Sequence, residues 1–221
     1  MSPEVLALLA QSTGQTLYMV AVAAGLGTLA GLPLGVFLAT SRAGEILAAP
    51  AANRVIGAVV NATRSTPFII LVVAIIPFTR LIAGTSIGTT AAIVPLTIAA
   101  TPFIARIVES AIREVDPGLV EAARSMGATP LQIIVKVLVP EARPSIALGL
   151  TLAIVSLIGY SAMVGAVGGG GLGDLGIRYG YQRFMPDVMA AVVAILIVLV
   201  QAVQSIGDAI ARRLDHRARK T

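Results

Sequence analysis

The sequence predicts an all-α integral membrane protein with five transmembrane helices and a cytoplasmic two-helix loop. Three observations lead to this fold class. Hydrophobic residues make up 57% of the 221 residues and charged residues only 12%, against about 25% charged residues in ordinary soluble domains. The mean hydropathy is +0.92, and long uncharged runs alternate with short charged stretches. One amphipathic segment interrupts the apolar pattern in the middle of the chain.

Each of the five apolar runs is long enough to cross a bilayer, which takes about 20 helical residues. All of residues 1–221 are assigned to a single transmembrane domain. The predicted spans are residues 14–40, 55–79, 83–105, 145–167 and 188–208, and the loop covers residues 109–142.

The distribution of basic residues predicts the orientation. Of the 16 lysines and arginines, thirteen fall on one side of the predicted spans, and only Arg80, Arg178 and Arg183 fall on the other. Because cytoplasmic loops carry the excess of basic residues, we expect the C-terminus and the amphipathic segment inside. An odd number of spans then places the N-terminus outside, together with the glycine-rich stretch Gly168–Gly173.

The amphipathic segment reads as two short helices joined at a glycine. Asp116 followed by Pro117 is a helix start, and Thr129 followed by Pro130 repeats it. Gly127 can adopt the left-handed conformation that ends the first helix, and Pro140 is expected to close the second. Apolar residues recur on one face of each helix, so we expect docking in the groove of a partner. These residues are Leu119, Ala122, Ala123 and Met126, then Leu131, Ile134, Val135 and Leu138.

Small and helix-bending residues mark the first three spans. Gly27, Gly31 and Gly35 form a stripe that permits close helix approach; packing within one subunit and a subunit interface both fit this stripe. Five prolines are expected either to line a path or to shape the bundle. They are Pro33, Pro67, Pro77, Pro95 and Pro102.

Several function classes are disfavoured by what the sequence lacks. No Asp or Glu lies in the middle of a predicted span, which argues against proton- or ion-coupled transport. No G-x-x-x-x-G-K-[ST] motif is found, so ATP would have to be bound by another chain. The absence of cysteine excludes thiol chemistry. The basic residues are spread between apolar runs without aromatic partners, so no nucleic acid is expected as a partner.

An enzyme is not expected either. Residues 159–162 fit the G-x-S-x pattern of intramembrane serine proteases, but a serine nucleophile needs a base within hydrogen-bonding distance. The only histidine, His216, lies in the charged tail.

The loop carries a specific motif. Glu121-Ala122-Ala123, then Gly127 after three residues, then residues 137–140 (VLVP) after nine more, resemble the EAA loop of ABC importer permeases; two valines replace Ile and Leu of the pattern. The resemblance covers nearly the whole chain. Residues 61–80 (NATRSTPFIILVVAIIPFTR), 84–106 (GTSIGTTAAIVPLTIAATPFIAR), 121–142 (EAARSMGATPLQIIVKVLVPEA) and 159–181 (GYSAMVGAVGGGGLGDLGIRYGY) are similar to the methionine importer permease.

This resemblance implies a type I ABC importer permease fold in the bacterial plasma (inner) membrane. It implies a homodimer, two cytoplasmic ATPase subunits that bind ATP and Mg²⁺, and an extracytoplasmic methionine-binding protein as partners. The chain itself would hold no cofactor and no metal, and would move methionine, both L- and D-, by alternating access.

The resemblance also implies the site residues. The predicted ATPase-coupling residues are Glu121, Ala122, Ala123, Met126, Gly127, Leu131 and Pro140. Glu121 would form a salt bridge or a capping contact at the ATPase groove, and Gly127 would make the bend. Candidates for the translocation path or gate are Tyr160, Ser161, Met163 and Arg64. Core packing is an equal alternative for Met163, and Arg64 would either reach the membrane interface or pair with the cytoplasmic loop.

Other functions stay open at this point. A permease for another small amino acid or organic solute, of the glycine betaine or phosphonate type, would share the loop. A passive channel would leave the cytoplasmic helix pair without a purpose, and a membrane scaffold would not need so many prolines.

Overall fold

The computed structural model describes residues 3–214, and the helical fold predicted from the sequence is confirmed. Residues 1–2 and the basic tail 215–221, which contains His216, lie outside the described residues. No strand occurs in the described part. Its α-helices, in chain order, are α1 (Pro3–Thr40), α2 (Pro50–Ser65), α3 (Phe68–Ala74), α4 (Ile76–Ala83), α5 (Thr89–Arg113), α6 (Pro117–Ser125), α7 (Pro130–Ile133), α8 (Val139–Ala166), α9 (Gly171–Leu175) and α10 (Pro186–Leu214).

Four stretches between residues 3 and 214 are long and apolar enough to cross a membrane. They are α1, α5, residues 130–166 and α10, and a fifth is counted if the bent pair α2–α3 is taken as one crossing. Of these four stretches, α10 is the least buried within the chain: only 6% of its most apolar 18-residue segment is buried.

The glycine stripe of α1 packs against α5 of the same chain. A Cβ added to Gly27 would lie 2.7 Å from the Cβ of Ala100, and one added to Gly35 would lie 2.5 Å from the carbonyl oxygen of Ala105. Gly31 lies equally close to α5. Of the two interpretations that the sequence left open, the structure therefore places the stripe in packing within one subunit.

The second predicted span, residues 55–79, is not one helix. α2 and α3 meet at an angle of 104°. The cause is local: Pro67 lacks an N–H, and a residue before proline is pushed out of the helical region. Thr66 accordingly has φ −80° and ψ 125°. The third predicted span, 83–105, also starts later than expected, at Thr89, because Gly84 and Gly88 adopt positive φ and form a turn.

The prediction that Pro140 closes a helix is wrong. Residues 130–166 follow a continuous helical course, in which α7 passes through a π-helical turn, Ile134–Leu138, into α8. In this turn the Val139 amide bonds to the Ile134 carbonyl five residues back. An α-helical register would bring the proline ring against the carbonyl of Lys136, and the wider π turn accommodates it.

The glycine-rich stretch after α8 folds back as a tight hairpin. A Cβ added to Gly165 of α8 would lie 2.4 Å from Asp174 N, and one added to Gly173 of α9 would lie 2.4 Å from the Ala162 carbonyl oxygen, so neither position has room for a side chain. Two side chains of α1 bind the first amides of α9. Gln15 Oε1 accepts from Gly171 N, and Thr16 Oγ1 accepts from Leu172 N, both at 2.9 Å. This end of the bundle is therefore fixed to α1.

Candidate functional site

The first helix of the predicted coupling loop, α6, has the caps expected from the sequence. Asp116 Oδ1 accepts a hydrogen bond from Gly118 N at 2.8 Å, and Pro117 occupies the first helical position. Asp116 is thus a side-chain N-cap that satisfies one of the free amides at the helix start.

Gly127 makes the bend between α6 and α7. Its φ is +79°, and the following amide, Ala128 N, bonds back to the Ala123 carbonyl at 3.0 Å, a common helix-ending arrangement. A Cβ at Gly127 would meet nothing within 4 Å, so the glycine is needed for its backbone conformation and not for space. Thr129 and Gln132 then form a reciprocal capping box that starts α7.

The two helices bury one side within this chain and expose the other. Ala123 and Ile133 are buried, as are Ile134 and Leu138 of the π turn. In contrast to these buried residues, two apolar side chains near Gly127 are exposed: Met126 is 81% exposed and Leu131 is 69% exposed. The outward surface also includes Leu119, Ala122 and Val135. We call Met126, Gly127 and Leu131 the exposed tip.

This division corrects the sequence interpretation. Ala123 does not share a docking face with Met126, nor does Ile134 share one with Leu131, because the core of the chain itself takes up half of each apolar face. Helical periodicity identifies apolar positions but not which partner covers them.

Glu121 lies beside a mixed polar and apolar cavity of about 350 Å³ at the end of the bundle that carries α6. The cavity is bounded by the α1–α2 connection, by the end of α5 and by α6. Arg113 and Arg124 are also among its lining residues. Glu121 is exposed and makes no ion pair among the described residues. Its carboxylate is therefore free to meet a partner. Pro140 lies apart from the tip, at the start of α8, and is partly buried.

The four candidate path residues do not converge on one surface. The Tyr160 ring stacks on Phe68 of α3, with centroids 4.4 Å apart and planes inclined by 12°. Ser161 is only 2% exposed, and its hydroxyl donates to the Ile158 carbonyl at 2.7 Å. Met163, by contrast, is half exposed.

Arg64 belongs to a different part of the bundle. Its guanidinium lies 5.9 Å from the centre of the Phe103 ring on α5, a cation–π contact, and not against the coupling loop.

A second, larger cavity of about 930 Å³ lies between α1, α8 and α10. Its walls are almost entirely aliphatic, from Leu17 and Val20 on α1 to Ile154 on α8 and Val203 on α10. Apart from Thr16 and Thr28, such a surface offers no polar side chain to the charges of a zwitterion.

A buried charge cluster was missed by the sequence analysis. Glu109 of α5 is 3% exposed and forms ion pairs with Arg42, which follows α1, and with Arg106 of α5. The spacing of Arg106 and Glu109 on one helix face is visible in the sequence. The pairing with Arg42, 67 residues away, is not.

Named relatives match over most of the chain. A protein from Vibrio cholerae serotype O1, described as a probable D-methionine transport system permease protein MetI, is 61% identical over 210 residues, which cover 95% of this chain and 93% of that protein. The D-methionine transport system permease protein MetI of Escherichia coli K12 is 52% identical over 165 residues, covering 75% of this chain and 76% of that one.

A solved structure and a family model match the chain as well. A crystal structure of the MetNI methionine ABC transporter, in an inward-facing conformation, contains a chain of 50% identity that superposes with a TM-score of 0.96, covering 98% of this chain and all of that one. A family model described as "Binding-protein-dependent transport system inner membrane component" matches residues 31–220. The chain therefore belongs to the family of inner-membrane components of binding-protein-dependent transport systems.

Proposed function

We propose that the chain is the permease of an ATP-driven methionine importer and that residues 109–142 couple it to the ATPase. The coupling role is supported by the exposed tip, where the side chains of Met126 and Leu131 are mostly exposed on either side of Gly127, which has positive φ. Large apolar side chains that the chain itself leaves exposed in this way fit the groove of a partner protein. Methionine as the substrate rests on the names of the similar permeases.

The proposed assembly has two copies of this chain, two ATPase subunits on the cytoplasmic side and a methionine-binding protein outside. The N-terminus is outside, the C-terminus is in the cytoplasm, and the chain forms one transmembrane domain. ATP and Mg²⁺ are bound by the ATPase alone, and the permease holds no cofactor. Five crossings are proposed. The first is α1, the second is formed by α2, α3 and α4 together, and the other three are α5, α8 and α10.

The proposed mechanism is alternating access driven from the cytoplasmic side. ATP binding draws the two ATPase subunits together, and each subunit carries an exposed tip with it. Glu121 forms an ion pair or a capping contact at the groove, and Ala122 lets the two surfaces approach closely. Since α7 is continuous with α8 through the π turn, the displacement of the tip reorients the transmembrane helices.

The test is uptake of radiolabelled methionine by a strain that lacks its own methionine permease, with the matching ATPase and binding protein supplied. We expect ATP-dependent uptake that is lost when the ATPase is inactivated. Uptake of glycine betaine or a phosphonate in place of methionine would overturn the substrate, and uptake without the ATPase would overturn the coupling.

The Met126→Asp variant is expected to lose most of its ATPase binding. A carboxylate at the centre of the exposed tip would have to be desolvated in an apolar groove, at a cost of several kcal/mol. Co-purification in detergent, with the ATPase quantified per permease, measures the loss. Ala52→Asp is the matched control, since it adds the same charge at an exposed position in the first turn of α2. Equal ATPase recovery with both variants would remove Met126 from the interface.

For the path, we propose that Tyr160, Ser161, Met163 and Arg64 line the route or its gate in at least one state of the cycle. Because the chain has no cysteine, a single Ser161→Cys change reports on this position without background. We expect a membrane-impermeant thiol reagent to react slowly without nucleotide, where Ser161 is buried, and faster when ATP is trapped. No reaction in any nucleotide state would exclude Ser161 from the path.

A further inference from the structure

The charge cluster around Glu109 joins three segments at the inner end of the bundle. Both oxygens of the Glu109 carboxylate are engaged: Oε1 accepts from Arg42 Nη2 at 2.7 Å, and Oε2 accepts from Arg106 Nη1. Arg106 Nη2 in turn donates to the Gly57 carbonyl at 3.0 Å and to Asn61 Oδ1 at 2.9 Å. The connection after α1, the middle of α2 and the inner part of α5 are therefore linked through one carboxylate.

Another side chain strengthens the link between α1 and α2. Asn53 Nδ2 donates to the Leu38 carbonyl at 2.8 Å and to Ser41 Oγ at 2.9 Å, and Ser41 is fully buried. Buried charges and amides are costly without partners, and apart from the buried Arg106 Nε, which has none, these groups find their partners in one another. We therefore expect the segments that carry them to move together.

The cluster lies between two rigid connections. On its outer side, the glycine stripe holds the backbones of α1 and α5 together as far as Gly35, whose absent Cβ leaves room for Val108. On its inner side, only three residues separate α5 from α6. One of them, Val115, is buried, and its amide bonds to the Ile112 carbonyl at 3.2 Å, which continues the helical turn.

We propose that Glu109 is a positioning residue for energy coupling. It holds the inner ends of α1, α2 and α5 as one body, so that a displacement of the coupling loop is passed to all three helices and not to α5 alone. This inference rests on the proposed function, because the displacement is the one that the ATPase imposes. Arg42 carries the link to α1, and Arg106 carries the link to α2.

Arg42→Gln is the most informative variant. The Arg42 side chain is 42% exposed, so its removal leaves Glu109 paired with Arg106 and leaves no buried cation without a partner. Arg54→Gln is the matched control: it removes an exposed arginine from α2, close to the same connection, and this arginine makes no ion pair among residues 3–214.

The experiment uses the full importer, with ATPase and binding protein, in lipid vesicles loaded with ATP. The measured quantity is the number of ATP molecules hydrolysed per radiolabelled methionine transported. We expect this ratio to rise by about fivefold or more for Arg42→Gln, as for the loss of a typical coupling between sites, with an unchanged amount of assembled complex. Amide hydrogen exchange in residues 42–49 should quicken in the same variant, while Arg54→Gln behaves as the parent does.

A second variant and two opposing outcomes complete the test. Glu109→Gln keeps one acceptor oxygen for two arginines, so the ratio should rise further. An unchanged ratio in Arg42→Gln, or a loss of uptake that only follows a loss of assembled complex, would overturn the inference. Absence of ATP-driven methionine uptake in the parent would instead overturn the proposed function.

Discussion

Replacing Gly127 by valine is expected to abolish ATP-driven uptake while the permease still inserts into the membrane. Gly127 has φ +79°, a region in which a β-branched residue is strained, at a cost of about 1–3 kcal/mol. The chain can relieve this strain by opening the turn, because no neighbouring atom would pack against the added Cβ and the turn is closed only by backbone hydrogen bonds, such as that from Ala128 N to the Ala123 carbonyl. Met126 and Leu131 would then lose their fixed relation on the exposed tip. Uptake and ATP hydrolysis of the complex, measured together, should show hydrolysis without transport.

The control for Gly127→Val is Gly14→Val. Gly14 also has open space around its missing Cβ, but its φ is not positive and it lies within α1. The same side chain is therefore added without backbone strain and far from the coupling loop. If Gly127→Val transported methionine as fast as Gly14→Val, the left-handed turn would have no part in coupling.

Gly35→Val is expected to prevent stable assembly altogether. A Cβ at this position would lie 2.5 Å from the Ala105 carbonyl oxygen and 2.6 Å from the Val108 Cβ, so α1 and α5 would have to separate. Overpacking of this kind costs about 1–3 kcal/mol, and more where backbone atoms are in the way. Close helix approach is a main source of association in lipid. We therefore expect a loss of monodisperse protein in size-exclusion chromatography and a large fall in thermal stability.

Gly25→Val provides the comparison on the same helix. Gly25 has nothing within 4 Å of its missing Cβ, so valine there should be tolerated. Similar yields and melting temperatures for the two variants would contradict the close packing of α1 on α5.

The local features of the coupling loop could be predicted because each depends on a few neighbouring residues. Asp116 and Thr129 are helix caps, and Gly127 adopts the left-handed conformation, as the sequence indicates. Pro140 was misjudged because a proline ends an α-helix only where the preceding turn cannot widen. The π turn before it buries Ile134 and Leu138, and no local pattern in the sequence indicates it.

Features that depend on distant parts of the chain were out of reach. Pro67 indicates a bend, but its local chemistry does not give the size of the angle between α2 and α3, which is 104°. The ion pair between Glu109 and Arg42 is not visible in the sequence, because the two residues are 67 positions apart and belong to different helix ends. The glycine stripe was recognised, whereas its partner, α5, was not.

The continuous course of residues 130–166 has a mechanical consequence. At about 1.5 Å per residue, its 37 residues form a helix of about 55 Å, which is longer than the thickness of the hydrocarbon core of a bilayer. One end carries Leu131, and the other runs into the glycine hairpin, where neither Gly165 nor Gly173 has room for a side chain between α8 and α9. In the proposed assembly, a displacement that the ATPase imposes near Leu131 would therefore be transmitted along this helix to the glycine hairpin at the opposite end of the bundle.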